Sequence, residues 1–140
     1  MQSFGFGIAT ALFLALAGTA KADESCYDMS KGEPGVLSGK LLHLTFPGPP
    51  NFENIQTGDK PEPTYILQLV SPICISGDEF ADAKNKFSTV HLIGENAIWG
   101  TMKKLINHNV VVNLKDQMGA ETGHHHAPLV AWVTAIKPRR

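Results

Sequence analysis

No stretch of this chain reaches the roughly 20 consecutive apolar residues that a membrane-spanning helix requires. Only two cysteines, two tryptophans and two tyrosines occur among its 140 residues. So few cysteines exclude a disulfide-dense or zinc-ribbon scaffold and leave one possible intramolecular bridge, Cys26 to Cys74. Catalytic signatures are missing as well: there is no G-x-S-x-G, no H-E-x-x-H, no phosphate-cradling glycine loop and no second H-x-H. Positive charge is neither abundant nor gathered, with 12 basic against 13 acidic residues. Its densest points are Lys103-Lys104 and the tail Lys137-Pro138-Arg139-Arg140. That pattern excludes a nucleic-acid backbone as partner, which calls for a clustered Lys/Arg footprint.

The first residues read as an address. After Met1-Gln2-Ser3 the run from Phe4 to Ala17 is almost wholly apolar, and Ala20-Lys21-Ala22 satisfies the small-residue rule for signal peptidase. Residues 1–22 are therefore expected to be a cleaved secretory signal and 23–140 a single domain, with no membrane anchor afterwards. The leader lacks an early Lys or Arg, and a retained anchor is the alternative that its length disfavours. Asp23-Glu24-Ser25 before Cys26 does not resemble a lipidation site. Of the 12 basic residues Lys21 leaves with the leader, so 11 face 13 acidic ones. In an oxidising compartment Cys26 and Cys74 are expected to pair, stabilising the fold by about 4 kcal/mol in the chain-entropy account. Two free thiols are the alternative.

The remainder reads mainly as strands. Val36 to Phe46 alternates with apolar residues on both faces, and Gly39 is a point where such a strand can bend. Two proline-rich stretches, Pro47–Asn51 and Thr57–Pro63, flank a short piece from Phe52 to Ile55 and predict a stiff loop without regular structure. Further strands are expected at Tyr65–Val70, Ile73–Ile75 and Thr89–Ile93. A helix follows, capped by Glu95 or Asn96, with Ile98, Met102, Leu105 and Ile106 on one stripe and an end near Asn107-His108-Asn109. Two last strands are expected at Val110–Leu114 and Pro128–Ile136. The order strand, strand, strand, helix, strand, strand predicts a mainly β, OB-like five-stranded barrel with its helix between the third and fourth strands. A β-sandwich and a lipocalin-like barrel share parts of this pattern. Trp99 and Trp132 are expected in or near the core.

Several segments together resemble one family. Thr45-Phe46-Pro47-Gly48-Pro49-Pro50-Asn51-Phe52-Glu53-Asn54-Ile55, then Gly58-Asp59 with Pro61-Glu62, Tyr65-Ile66-Leu67, Pro72-Ile73-Cys74-Ile75, and Thr122-Gly123-His124-His125-His126 with Pro128 are similar to a bacterial exported family known only as domain of unknown function number 4431. The resemblance spans about Val36 to Ile136 and implies a periplasmic or secreted, OB-like protein without implying an activity. Phe52 stands where the family usually has tyrosine, Ala127 where it has threonine, and Asn113 where glycine is common.

Half of the chain's six histidines stand at 124–126, the densest concentration of chemistry in it. In an extended segment His124 and His126 would share one face, their roots about 6 to 7 Å apart, with His125 on the other. Two such imidazoles suit Zn, Cu or Ni if a third donor joins them, from His43, His108, Asp59, Glu62 or Glu121. Proton transfer by His124 or His126 with Asp59 is a further use, and a purely structural one is that the rings bond to loop carbonyls beneath the proline-rich loop. That loop offers Asn51, Phe52, Glu53, Asp59 and Glu62 on a rigid backbone, which with His125 form a candidate recognition surface. A stiff cover for one end of the barrel is the plainer reading. His43 and His91 sit in strand patterns as ordinary sheet residues.

Three functions fit. The first is an exported binding module for a small ligand, glycan or envelope protein. The second is a periplasmic inhibitor or immunity-type protein, and the third a metal-binding or metal-dependent hydrolytic protein through His124 and His126. No residue is assigned as catalytic.

Overall fold

The computed structural model describes residues 25–140, so the expected leader at 1–22 lies outside the described residues. Strand β1 (Tyr27–Asp28) is followed by a 3-10 turn, β2 (Val36–Pro47), a second 3-10 turn at Ile55–Thr57, β3 (Pro61–Ile73), β4 (Ile75–Ser76), β5 (Phe87–Ile93), helix α1 (Ala97–Lys104), β6 (Asn109–Gly119) and β7 (Leu129–Pro138). Five strands close into a barrel in the order β2-β3-β5-β7-β6, and β2 returns to β6. All neighbours are antiparallel except β5 and β7. That order, with the helix between the third and fourth barrel strands, is the OB-like barrel anticipated from the sequence.

Closure depends on β2 changing partners. Its first half pairs with β6 through Lys40↔Asn109 and its second half with β3 from Gly39↔Leu69 onward. At the crossover a Cβ on Gly39 would stand 2.2 Å from the Gln68 carbonyl oxygen, so only glycine lets the two backbones approach. The core is the inner face of the barrel: Leu37 and Leu41, Leu67 and Leu69, Val90 and Leu92, Val110, Val112 and Leu114, Leu129, Ala131 and Val133. Neighbours on each strand are two residues apart, or four for Leu37 and Leu41 with Gly39 between them, the periodicity that sends side chains to one face. Met102 of α1 enters this core, and Ile98, Leu105 and Ile106 pack against it, the stripe expected for the helix.

Several expectations need correction. The helix ends at Lys104, and Asn107, with φ 68°, turns the chain into β6. Asn96 precedes the helix with φ 50° and makes no side-chain cap, so the first turn relies on backbone bonds from Ile98 to Glu95 and Trp99 to Asn96. Trp99 is not a core residue; it is 53% exposed at the flank of α1, with its ring edge-on to Tyr65. Pro61 and Pro63 belong to β3 rather than to a turn. They are tolerated because β3 pairs there only with β2, and its other edge engages β5 from Tyr65 onward. The strand expected at 65–70 runs on to Ile73 with a register irregularity between Gln68 and Ile73, and the one expected at 73–75 is divided at Cys74, Ile73 ending β3 and Ile75 opening β4.

Cys26 and Cys74 form the anticipated disulfide. It fastens the start of the described chain to the end of β3, where the Tyr27 N–H also donates to the Cys74 carbonyl and β1 pairs in parallel with β4.

Candidate functional site: a carboxylate bridged by two histidines

The register of the first hairpin begins the site. Phe46 on β2 lies directly opposite Glu62 on β3, so both side chains leave the sheet on the same face. Two rows further on, Ile66, His91 and Val130 are aligned across β3, β5 and β7 on the outside of the barrel. Ile66 is nevertheless only 1% exposed and Val130 fully buried. The segment joining β6 to β7, which carries the three histidines, covers this face: the His126 N–H donates to His91 Nδ1 at 3.2 Å, and the two rings stack at 5.8 Å.

Glu62 joins the two distant loops. Its Oε1 accepts from His124 Nδ1 at 2.5 Å and its Oε2 from His126 Nε2 at 2.8 Å. His126 also lies flat on Phe46, with ring centroids 4.4 Å apart and planes 5° apart, while His124 meets the ring of Phe52 edge-on at 4.8 Å. The proline-rich loop and the histidine segment thus share one bridge and two aromatic contacts. Two glycines make room for it. A Cβ on Gly48 would sit 2.6 Å from Glu62 Cγ, and one on Gly123 2.8 Å from the Phe52 ring.

Burial pushes the Glu62 carboxyl up, but the hydrogen bonds from His126 and His124 outweigh it and hold the group below its ordinary value. It is therefore an anion that accepts from both rings. His91 behaves oppositely: burial, reinforced by repulsion from His126 and His125, pushes it down to about 4. Neutrality suits its role, because Nδ1 must keep a lone pair to receive the His126 N–H. His125 Nδ1 likewise receives the Glu121 N–H at 3.0 Å, so the hydrogen-bond network assigns both of these rings their proton on Nε2.

His124 and His126 face the same way and His125 faces another, as expected, although a turn closed by His125 N–H to the Thr122 carbonyl produces this rather than an extended strand. Of the proposed partners for them, Glu62 is the one that arrives. Asp59 is only 4% exposed and takes the backbone N–H groups of Asn51, Glu53 and Asn54, each at 2.8 Å. The bonds from Asn54 and Glu53 hold its carboxyl below the usual value. Asp59 is thus the internal strut of the loop and does not form the acid–base pair with His124 or His126. Asn51 and Glu53 are exposed around that strut. His43 stacks on Tyr65 and His108 bonds to the Ile106 carbonyl, both away from the bridge. Glu121 enters only through its backbone. Among the described residues no three His, Cys, Asp or Glu side chains are arranged to hold a metal ion, and the nitrogens of His124 and His126 nearest Glu62 are engaged by it.

Two participants escaped sequence reasoning. His91 looked like a plain sheet residue, and its role depends on a strand pairing of β5 with β7 that no local pattern announces. Phe46 ends a strand immediately before Pro47, where an aromatic side chain is placed at the rim of the loop; that position was its signal.

Fold and site together define an OB-type barrel whose first-hairpin loop and last loop are clamped through one carboxylate and two imidazoles. Residues 89–137, from β5 through α1 and the histidine segment to β7, match the family model described as a domain of unknown function (DUF4431), in agreement with the resemblance drawn from the motifs. The proline-rich loop and Glu62 precede the matched stretch. Comparison with curated proteins and with solved structures finds no match.

Proposed function

We propose that this chain is an exported binding module whose ligand, an oligosaccharide, lies along the rim built by the proline-rich loop and the histidine segment. The observation that carries the reading is the Glu62 bridge, which holds Phe46, Phe52, His124 and His126 in one patch. In OB barrels the loops corresponding to 48–60 and 120–128, with the sheet face between them, receive oligonucleotides or oligosaccharides; this part of the reading is an analogy of fold. Charge separates the two ligands. The rim carries Glu53, Glu62 and Glu121 against a single lysine, Lys60, and no arginine, a poor match for phosphates. Aromatic faces beside an anionic acceptor and imidazole donors suit a neutral sugar, with ring faces for its C–H groups and fixed partners for its hydroxyls. The disulfide is consistent with export, since such bonds persist in oxidising compartments.

The test is NMR titration of the chain from Asp23 onward with a panel of neutral envelope-type oligosaccharides. Shifts at 46–62 and 120–128 that disappear in Phe52→Ala and His124→Ala variants of unchanged thermal stability are expected. A panel that shifts neither loop overturns the reading. A pull-down from envelope extract that recovers one dominant enzyme would instead favour an inhibitor. Stoichiometric Zn, Cu or Ni in tag-free protein would favour ligation, in which the metal displaces the protons shared with Glu62.

A further inference from the structure

A concavity lies where α1 meets the barrel, and it is independent of the bridged rim. It encloses about 350 Å³ and is lined by His43, Tyr65, Trp99, Gly100, Lys103 and Ile106. Trp99 and Lys103 are four residues apart on α1 and so share one face of the helix. Trp99 meets Tyr65 edge-on at 5.7 Å, and His43 closes the other side of Tyr65 by stacking at 4.6 Å. Three aromatic rings therefore form a corner, with an ammonium group beside it.

Two observations indicate that the corner is built to be filled. Tyr65 is only 6% exposed, yet its hydroxyl has no hydrogen-bond partner among the described residues. No fully enclosed side-chain oxygen or nitrogen there is left unpaired, so this hydroxyl reaches the surface of the cleft it lines. Burial pushes its pKa up, so it stays a donor. Second, Trp99 leaves half its large apolar surface in water beside this hydroxyl, and Lys103 has no acidic partner among the described residues. None of the six lining residues is acidic.

We infer that this cleft binds a small flat aromatic ring bearing one carboxylate. The ring lies against the Trp99 indole, its edge toward Tyr65, in the offset or edge-to-face geometry aromatic pairs prefer. The carboxylate pairs with Lys103 Nζ and accepts from the Tyr65 hydroxyl, two fixed polar contacts in a mainly apolar site. A sugar fits less well here, because the walls offer few partners for a ring of hydroxyls. Gly100 keeps the space open: a Cβ there would meet nothing within 4 Å, so a larger side chain fits sterically and occupies the cleft.

The test is an NMR titration of the chain from Asp23 onward with indole-3-acetate, with indole-3-acetamide as the uncharged counterpart and cyclohexane carboxylate as the non-aromatic one. Indole-3-acetate is expected to shift the amides of 97–106, His43 and Tyr65. The acetamide should bind about fivefold more weakly, the size of one partly screened charge pair, and Lys103→Gln should erase that difference. Gly100→Leu should abolish the shifts while the unfolding midpoint is kept or raised, since leucine favours a helix over glycine. Absence of shifts in this region, equal affinity for acid and amide, equal affinity for the non-aromatic acid, or unchanged binding by Gly100→Leu would each overturn the inference. Its failure would leave the rim reading untouched, because no residue is shared.

Discussion

Glu62 accepts a hydrogen bond from His126 at 2.8 Å although 64 residues separate the two in sequence. The contact fastens the start of β3 to the loop before β7. The second contact of the same carboxylate, to His124, is not its equal: the His126 side chain is 8% exposed and that of His124 60%. An enclosed ring that is also stacked on Phe46 loses much more on removal than a solvated one.

His126→Ala is therefore expected to cost about 2–3 kcal/mol, from the lost stack and the lost charge-assisted bond. His124→Ala should cost less than about 1 kcal/mol, as exposed ion pairs do. Urea unfolding at pH 7 measures both, and equal losses would refute the asymmetry.

Acid should act on the site in two separate windows. His91 has a folded value of about 4 against 6.5 for the free group, so the unfolded chain takes up a proton that the native ring declines. Its contribution is complete above pH 6.5 and is lost as pH falls from 6.5 to about 4, by about 2 kcal/mol after allowance for solvent screening. Glu62 is also depressed, below 4.5; its contribution is complete above 4.5 and is lost as pH falls through its folded value. His91→Asn, which keeps an acceptor for the His126 N–H, should flatten the stability curve between pH 6.5 and 4.5 and leave the lower acid limb in place. Unfolding midpoints measured at half-unit steps decide it; an unchanged slope in the upper window would contradict the assignment.

At the crossover of β2, Gly39→Ala would press a methyl group against the Gln68 carbonyl. Backbone cannot swing aside as a side chain can, so a loss of about 3 kcal/mol is expected. Gly35→Ala is the control, since nothing lies within 4 Å of a Cβ there, and it should be close to neutral. Thermal unfolding of the pair gives the comparison.

The Cys26–Cys74 bridge closes a separation of 48 residues. Replacing both cysteines by serine should cost about 3–4 kcal/mol in the chain-entropy account. Dithiothreitol should lower the unfolding midpoint of the native protein to that of the double variant and leave the variant unmoved. A native protein indifferent to reductant would show that the bridge contributes little.

The barrel was legible because its strands carry their own signal. Alternation at Leu37, Gly39 and Leu41, or at Val110, Val112 and Leu114, follows from the two-residue period of a strand and needs no knowledge of its neighbours. The stripe Ile98, Met102, Leu105, Ile106 and the pairing of Cys26 with Cys74 were readable for the same kind of reason: a local period in one case, a count of two in the other. Trp99 was misread because an apolar neighbourhood in sequence does not say which side of a short helix faces the barrel. Pro61 and Pro63 were misread as a turn because a strand tolerates proline only where an edge is free, and that depends on the neighbouring strand.

The candidate site divides along the same line. Sequence alone singled out the histidines at 124–126 and the stiff loop at 46–62, since imidazole and proline declare their properties wherever they stand. Whether Asp59 or Glu62 would meet the histidines was decided only in three dimensions. One carboxylate is consumed by three amides of its own loop, a contact of local turn geometry. The other is delivered to His124 and His126 by the register of β2 on β3 and by the closure of the barrel. Composition determines which groups can react or bind; the long-range strand pairings determine which of them meet.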